Sequence, residues 1–134
     1  MPRVRIREAA DLLGVSDDTV RRWIDSGALA AGKDDSGRTS IDGAELAAFA
    51  RDHARTPADP TDVDSSARNR FVGLVTAVTS DTVMSEVQMQ CGPFTVVSLM
   101  SSRSVTALGL EPGKIAVAVI KATNVIVEKP KETT

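Results

Sequence analysis

The residues of this chain best suited to chemistry are hydroxyl groups and fixed positive charges in two short polar segments. The first segment is Ser66-Ala67-Arg68-Asn69-Arg70-Phe71, and the second, near the other end, is Ile120-Lys121-Ala122-Thr123-Asn124-Val125. They bracket a region rich in β-branched residues. Donor groups and cations in such segments are typical of a site for a small anion. The alternative interpretation is that Arg68 and Lys121 are solvated charges at strand ends.

Length and composition exclude several classes of protein. A chain of 134 residues forms one domain or two small ones. The net charge of −2 argues against electrostatic nucleic-acid binding by the chain as a whole. The single Cys91 excludes an intrachain disulfide framework and a cysteine-rich zinc site. No signal peptide or run of transmembrane length is visible, which predicts a cytoplasmic protein without a membrane partner.

Residues 56–65 differ in composition from the rest of the chain. They contain two prolines and three aspartates and have few side chains that could be buried. Such a segment is expected to be extended or disordered. The composition therefore predicts a flexible linker between two domains, one over residues 1–55 and one over residues 66–134.

The first half of the chain carries the pattern of two short helices joined by a turn. Residues 6–13 place apolar side chains at helical spacing, and Gly14 follows as a stop signal. Ser16 is then an N-cap for a second helix that ends near Gly27. Two helices arranged in this way form a helix-turn-helix unit, whose second helix can enter a DNA major groove.

The residues that follow predict a hairpin and a third helix. Residues 28–41 are polar and contain two glycines, as expected of a β-wing. The third helix spans about Asp42 to His53, with Asp42 as its N-cap and Glu45 three residues later. His53 stands alone in a charged helix end and is not a candidate ligand or catalyst.

The segments Ile6–Ser16 and Thr19–Leu29 resemble the winged helix-turn-helix of the MerR and excisionase type, and in particular the BldC-like regulators. The resemblance covers residues 4–53 and implies binding to double-stranded DNA. It assigns the DNA contacts to four residues of the second helix and the wing: Thr19, Arg21, Arg22 and Arg38. Arg5 stands where the family usually has a Ser or Thr N-cap, and Asp17 and Asp18 would lie near phosphates.

The second half of the chain has the pattern of a small all-β domain. Strands are predicted over residues 69–80, 83–91, 94–100, 115–121 and 125–128, with a short helix over residues 102–108. Gly73 lies inside the first of these strands and predicts a bend or a close backbone approach. Five short strands and one helix predict a small OB-like barrel.

Three motifs of this half resemble the Mop domain of molbindins, in the TOBE family. They are Ser66-Ala67-Arg68-Asn69, the run from Ser101 to Gly113, and Ile120 to Val125. The resemblance covers residues 66–134 and implies molybdate or tungstate as ligand. It assigns oxyanion contacts at subunit interfaces to Ser66, Ala67, Arg68, Ser101, Ser104, Lys121 and Ala122. It also implies a hexamer built as a trimer of dimers. Relatives often have Ser at the position of Ala122.

The predicted fold class is α+β with two domains, a mainly α winged helix-turn-helix followed by an all-β OB-like barrel with one short helix. The predicted function is a DNA-binding transcriptional regulator that binds molybdate or tungstate. The alternative is a molybdate buffer or storage protein whose helix-turn-helix no longer binds DNA. An enzyme is not expected, because the chain has one His, one Cys and no catalytic motif. Molybdenum is expected only within the oxyanion, and no other metal.

Overall fold

The computed structural model describes residues 2–131, which divide into two compact units, one ending at Arg55 and the other beginning at Thr56. The first unit contains three helices, α1 (Ile6–Leu13), α2 (Asp17–Asp25) and α3 (Gly43–His53). Its three short strands are β1 (Arg3–Arg5), β2 (Gly32–Lys33) and β3 (Thr39–Asp42), in the order β1-β3-β2 and all antiparallel.

The helix ends of the first unit lie where the capping residues predict them. Gly14 ends α1 in the left-handed conformation, with φ of 68°. The side chain of Ser16 accepts a hydrogen bond from the Thr19 amide at 3.2 Å, and Asp42 accepts one from the Glu45 amide at the same distance. Arg5 provides no side-chain cap for α1, as predicted. The helix α2 ends at Asp25 with Ser26 as its C-cap, and Gly27 follows in the left-handed conformation, with φ of 82°.

The core of the first unit is formed by one apolar face from each helix and by β3. Trp23 packs against Phe49 with ring centroids 4.9 Å apart, so the indole is a packing group of this core. Phe49 in turn stacks on His53 at 3.8 Å, and this histidine also bonds the Phe49 carbonyl. The buried residues of this core are Ala9, Ala10, Val20, Leu29, Ile41, Leu46 and Phe49.

The strand β1 is a feature of the wing that the sequence pattern does not predict. Val4 lies opposite Ile41, so the predicted two-stranded hairpin is in fact the outer part of a three-stranded sheet. The Arg3 side chain donates to the hydroxyl and the carbonyl of Ser40, at 2.9 and 3.0 Å. A three-residue strand has too short an alternation to be recognised without its partner.

The second unit is one curled antiparallel sheet with a short helix. Its elements are β4 (Asn69–Ser80), β5 (Met84–Cys91), β6 (Phe94–Ser101), α4 (Ser102–Leu108), β7 (Ile115–Ile120) and a 3-10 helix (Ala122–Asn124). The strand order is β6-β5-β4-β7. The core contains Val75, Val87, Met89, Cys91 and Val105. The two-domain α+β fold class is therefore confirmed, with the sheet forming a half-barrel.

The long strand β4 serves both halves of this sheet. Its first part pairs with β7, from Asn69 to Leu74, and its second part pairs with β5, from Leu74 to Ser80. The register shifts between Val75 and Ala77, and such a bulge bends a strand and increases its twist. The curl of the sheet follows from this change of partner along one strand.

The prediction of a fifth strand over residues 125–128 is wrong. These residues form no helix or strand, and Ile126 and Val127 are 84% and 88% exposed. Their β-branched composition favours a strand, but a strand also needs a neighbour to satisfy its backbone groups. The 3-10 helix after β7 turns the chain, and within residues 2–131 no sheet edge pairs with the segment.

No helix in the described part of the chain is long and apolar enough to span a membrane.

Candidate functional site

Two of the predicted oxyanion segments meet at one end of the curled sheet. Asn69, the first residue of β4, is paired with Ile120, the last residue of β7, and the Asn69 side chain donates to the Ile120 carbonyl at 3.2 Å. The segment before β4 and the segment after β7 are therefore neighbours. The residues brought together here are Ser66, Ala67, Arg68, Lys121 and Ala122; we call them the first half-site.

The side chains of the first half-site are available for a ligand. Ser66, Arg68 and Lys121 are exposed. Within residues 2–131 none of these three side chains has a hydrogen-bond or ion-pair partner. A hydroxyl, a guanidinium and an ammonium provide donors and positive charge, which a tetrahedral dianion requires. Their contribution to folding is small, because exposed and unpaired side chains stabilise a fold little.

One donor of the first half-site is already occupied. The Ala67 amide donates to the hydroxyl of Ser65 at 3.1 Å. This contact joins the half-site to the chain segment that precedes it. Ser65 is not among the predicted site residues, although serine frequently accepts a hydrogen bond from an amide two residues later.

The serines at the start of α4 form a second group. Ser101 is the N-cap of this helix, since its hydroxyl accepts from the Ser104 amide at 3.1 Å. The same hydroxyl donates to the Ser104 hydroxyl at 2.7 Å. The proton of the Ser104 hydroxyl is therefore the one that remains for another acceptor. Ser101 therefore caps α4, which is a structural role that requires no ligand.

A chain of hydroxyl groups beside α4 was not predicted. Ser85 is buried and contacts Ser80 at 2.7 Å and Ser102 at 2.8 Å, and Ser102 donates to the Asp81 carbonyl. These contacts satisfy every member of the chain internally. The arrangement fixes the end of the sheet from which α4 begins. Ser85 lies on the buried face of β5, where the alternating pattern of the strand favours an apolar residue.

The two groups lie at opposite ends of the sheet within one chain. Ser101 is paired with Met84, and Ser85 is paired with Ser80, the last residue of β4, whereas the first half-site adjoins Asn69, its first residue. Strands rise by about 3.3 Å per residue, so the 12 residues of β4 would hold its ends about 36 Å apart in a straight strand. One subunit cannot close both groups around one small anion.

The candidate DNA interface is the exposed side of α2. Val20 is buried, and Thr19, Arg21 and Arg22 lie off the buried face. Arg22 donates to the Thr19 hydroxyl at 3.1 Å, and Arg21 lies 3.8 Å from Asp18. Both cations are exposed, so these local contacts cost little to break when a phosphate approaches.

The wing is shaped by Asp34. Its Oδ1 accepts from the Ser36 amide, the Ser36 hydroxyl and the Arg38 amide, at 2.9, 2.7 and 3.0 Å. Its other oxygen lies 3.4 Å from Arg5 of β1. The Arg38 side chain is exposed at the end of this turn. Asp34 thus holds the turn that presents Arg38.

We predict that the wing turn loosens in acid. The hydrogen bonds from Ser36, and next from Arg38, lower the pKa of Asp34 from 3.8 to about 2. Because the folded pKa lies below the unfolded one, this stabilisation is complete above about pH 4 and disappears as the pH falls through about 2. The amide NMR signals of Ser36 and Arg38 should titrate with that low midpoint. A midpoint at the ordinary Asp value would contradict this, and Asp35→Asn, a neighbouring change, should leave the titration unaltered.

Comparisons with known proteins agree with this two-part organisation. The TOBE domain family model matches residues 65–127, and the helix-turn-helix domain family model matches residues 4–54. No curated protein matches the chain. Within the described residues, no cluster of three or more His, Cys, Asp or Glu side chains could hold a metal ion.

Three solved structures are similar to the second half of the chain. A molybdate-binding protein from Sporomusa ovata is 31% identical over 50% of this chain and 100% of its own, with a TM-score of 0.49. MopII from Clostridium pasteurianum is 33% identical over 49% of this chain and 100% of its own, with a TM-score of 0.46. The cytoplasmic molybdate-binding protein ModG is 38% identical over 51% of this chain and 49% of its own, with a TM-score of 0.48. The two family matches confirm both predicted resemblances: the chain carries a helix-turn-helix domain over residues 4–54, followed by a TOBE domain over residues 65–127.

Proposed function

We propose that this protein is a cytoplasmic, DNA-binding regulator that responds to molybdate or tungstate. The observation that carries the proposal is the first half-site, where Ser66 to Arg68 and Lys121 to Ala122 adjoin across the β4–β7 ladder. The sequence similarity of the TOBE half to proteins that bind molybdate supports molybdate as the ligand. The helix-turn-helix domain supports DNA as the macromolecular partner. The protein acts by binding, not as an enzyme.

The oxyanion contacts follow from the chemistry of the donors. Molybdate is a tetrahedral dianion that accepts hydrogen bonds and donates none. The Lys121 ammonium and the Arg68 guanidinium balance its charge, while the Ser66 hydroxyl and the amides of Ala67 and Ala122 donate to its oxygens. Ser104, with Ser101 holding it in place, completes the site from another subunit.

The assembly proposed here is the hexamer implied by the family. The concave face of the half-barrel is an open apolar cleft of about 490 Å³ between β6 and β7. Leu99, Ile115 and Ile126 are 71%, 66% and 84% exposed on the same unit. Exposed apolar surface of this kind marks an interface. A second copy would cover it and would bring Ser104 of one chain towards the first half-site of another.

We predict that the assembly depends on the TOBE half alone. Deleting residues 1–60 should leave the oligomer unchanged, because the exposed apolar residues and the open cleft belong to the second unit. Light scattering of the full and shortened chains with molybdate measures this directly. A monomeric full chain at micromolar concentration would contradict both the assembly and the shared site.

DNA binding with and without molybdate tests the regulatory role. The full chain should retard DNA from its own upstream region, and molybdate should alter its apparent affinity. Each helix-turn-helix unit binds weakly, but several units on one oligomer raise the effective concentration of the others. An oligomer that binds no DNA in either condition would reject the role of regulator.

We predict that Arg22→Ala weakens DNA binding without changing oxyanion affinity. Loss of one phosphate contact per subunit reduces the electrostatic part of DNA affinity and its salt dependence. Arg22 lies on the exposed side of α2, so the fold should survive. Arg51→Ala, on the exposed end of α3, is the matched control. Equal losses for both variants would mean that α2 is not the contact surface.

A molybdate buffer or storage protein is the second candidate. Asp17 and Asp18 place two acids in the first turn of α2, and Asp18 lies beside Arg21. These acids oppose the approach of phosphates. Saturable molybdate binding together with no measurable affinity for upstream DNA would favour this candidate.

A further inference from the structure

The segment before the first half-site is held against the sheet. We call residues 59–65 the strap. Arg70 of β4 contacts the Asp59 carboxylate at 2.8 Å and donates to the Thr61 hydroxyl at 2.6 Å. Asp59 also accepts from the amide and the hydroxyl of Thr61, at 2.9 and 2.6 Å. The Arg70 and Asp59 side chains are only 25% and 34% exposed, so this contact is partly shielded from water.

The charge of this contact is maintained over a wide range of pH. The hydrogen bond from Arg70, followed by those from Thr61, holds the pKa of Asp59 well below its ordinary range. Asp59 is therefore ionised at any neutral or mildly acidic pH, and it neutralises a cation two residues after Arg68. The other acids of the strap, Asp62 and Asp64, are exposed and take no part in it.

The rest of the strap follows the surface of β7. Thr61, Val63 and Ser65 all line a groove whose other wall includes Ile115, Val117 and Val119. Side chains at alternate positions of an extended chain point to the same side. The strap therefore lies as an extended segment with one row of side chains directed at the sheet, and it ends at the first half-site.

The last residue of the strap occupies a donor that the oxyanion requires. The Ser65 hydroxyl accepts from the Ala67 amide at 3.1 Å. An amide has one proton and makes one strong hydrogen bond at a time. An anion oxygen that takes this proton must displace the Ser65 hydroxyl.

We propose that the strap is an internal competitor of the oxyanion, so that anion binding at the first half-site and docking of the strap oppose each other. This inference rests on the proposed function. Coupling between two binding events is reciprocal: whatever loosens the strap must tighten oxyanion binding by the same factor, and the oxyanion must loosen the strap.

The consequence concerns the reach of the N-terminal unit. While Asp59 is held by Arg70, residues 56–58 are the free chain after Arg55, and they span at most about 10 Å. Once the strap is released, residues 56–65 span up to about 35 Å. Oxyanion binding would then lengthen the tethers of the helix-turn-helix units, which changes which DNA sites two units can occupy together.

Calorimetric titration of the full chain with sodium molybdate tests this inference with three variants. Ser65→Ala removes the competing acceptor and should bind molybdate about three- to tenfold more tightly, the range expected for one neutral hydrogen bond. Asp59→Asn weakens the docked strap and should also tighten binding. Asp62→Asn, an equal change of charge in the same segment, is the control and should match the unaltered chain.

Hydrogen exchange of residues 59–65 provides the second readout. Molybdate should speed exchange in the unaltered chain, whereas protection of the strap would overturn the inference. Unchanged or weaker binding by Ser65→Ala, with normal binding by the unaltered chain, would overturn the inference and leave the proposed function intact. If neither the unaltered chain nor any variant binds molybdate, the proposed function fails and the inference with it. If Ser65→Ala binds molybdate and the unaltered chain does not, the result would support the inference that the strap competes with the oxyanion.

Discussion

Lys121→Ala is expected to weaken molybdate binding by about ten- to a hundredfold, the range that corresponds to one charge-assisted hydrogen bond. The ammonium group stands directly after β7, beside the segment that precedes β4. It is exposed and has no partner within residues 2–131, so its removal should not disturb the fold. Calorimetry measures the affinity, and circular dichroism verifies the fold.

Lys114→Ala is the matched control for this variant. Lys114 precedes the other end of β7 and is also exposed. The substitution therefore changes the net charge by the same amount as Lys121→Ala, but at a distance from the first half-site. If both variants lose affinity equally, the effect is one of overall charge. If Lys121→Ala binds as the unaltered chain does, Lys121 is not a ligand.

Gly73→Ala is expected to destabilise the TOBE half by about 3 kcal/mol, at the upper end of the range for overpacking a core. A Cβ at this position would overlap the backbone oxygen of Gln90 and stand 2.7 Å from the Sγ of Cys91. The backbone oxygen belongs to the β5 strand and cannot rotate away. For a domain of this size the midpoint of thermal unfolding should fall by roughly 10 °C or more.

Two further variants separate overlap from other effects of the added methyl group. Gly92→Ala is in the nearby β5–β6 turn, where a Cβ meets nothing within 4 Å but φ is 60°. It should cost about 1–2 kcal/mol, the penalty of a left-handed backbone. Combining Gly73→Ala with Cys91→Ala removes the overlap with the sulfur but not the overlap with the Gln90 backbone oxygen. The double variant should therefore regain little stability. Full rescue by that pair, or equal losses for the two glycine variants, would contradict the close approach to Gln90.

Local signals in the sequence predicted most elements of both units. Gly14, Ser16 and Asp42 mark helix ends through hydrogen bonds that each residue makes with its own neighbours. The alternation from Ser85 to Cys91 identified β5, because its buried and exposed faces differ in polarity. The close approach at Gly73 was likewise predicted, although the atoms it approaches became known only from the structure.

Features that depend on distant partners could not be predicted in this way. The strand β1 is defined by its pairing with β3, and residues 125–128 form no strand because they lack such a neighbour. The separation of Ser104 from Lys121 follows from the strand order, which no short motif contains. The contact of Asp59 with Arg70 lies in a segment whose composition indicates only an extended chain.

The measurement that tests the proposal most directly is a calorimetric titration of the full chain with molybdate, repeated with tungstate and with Lys121→Ala. The binding chemistry of Ser66, Arg68 and Lys121 predicts a saturable heat with either oxyanion, which Lys121→Ala reduces strongly. Absence of saturable binding with both oxyanions would contradict the assignment of this end of the sheet as an oxyanion site.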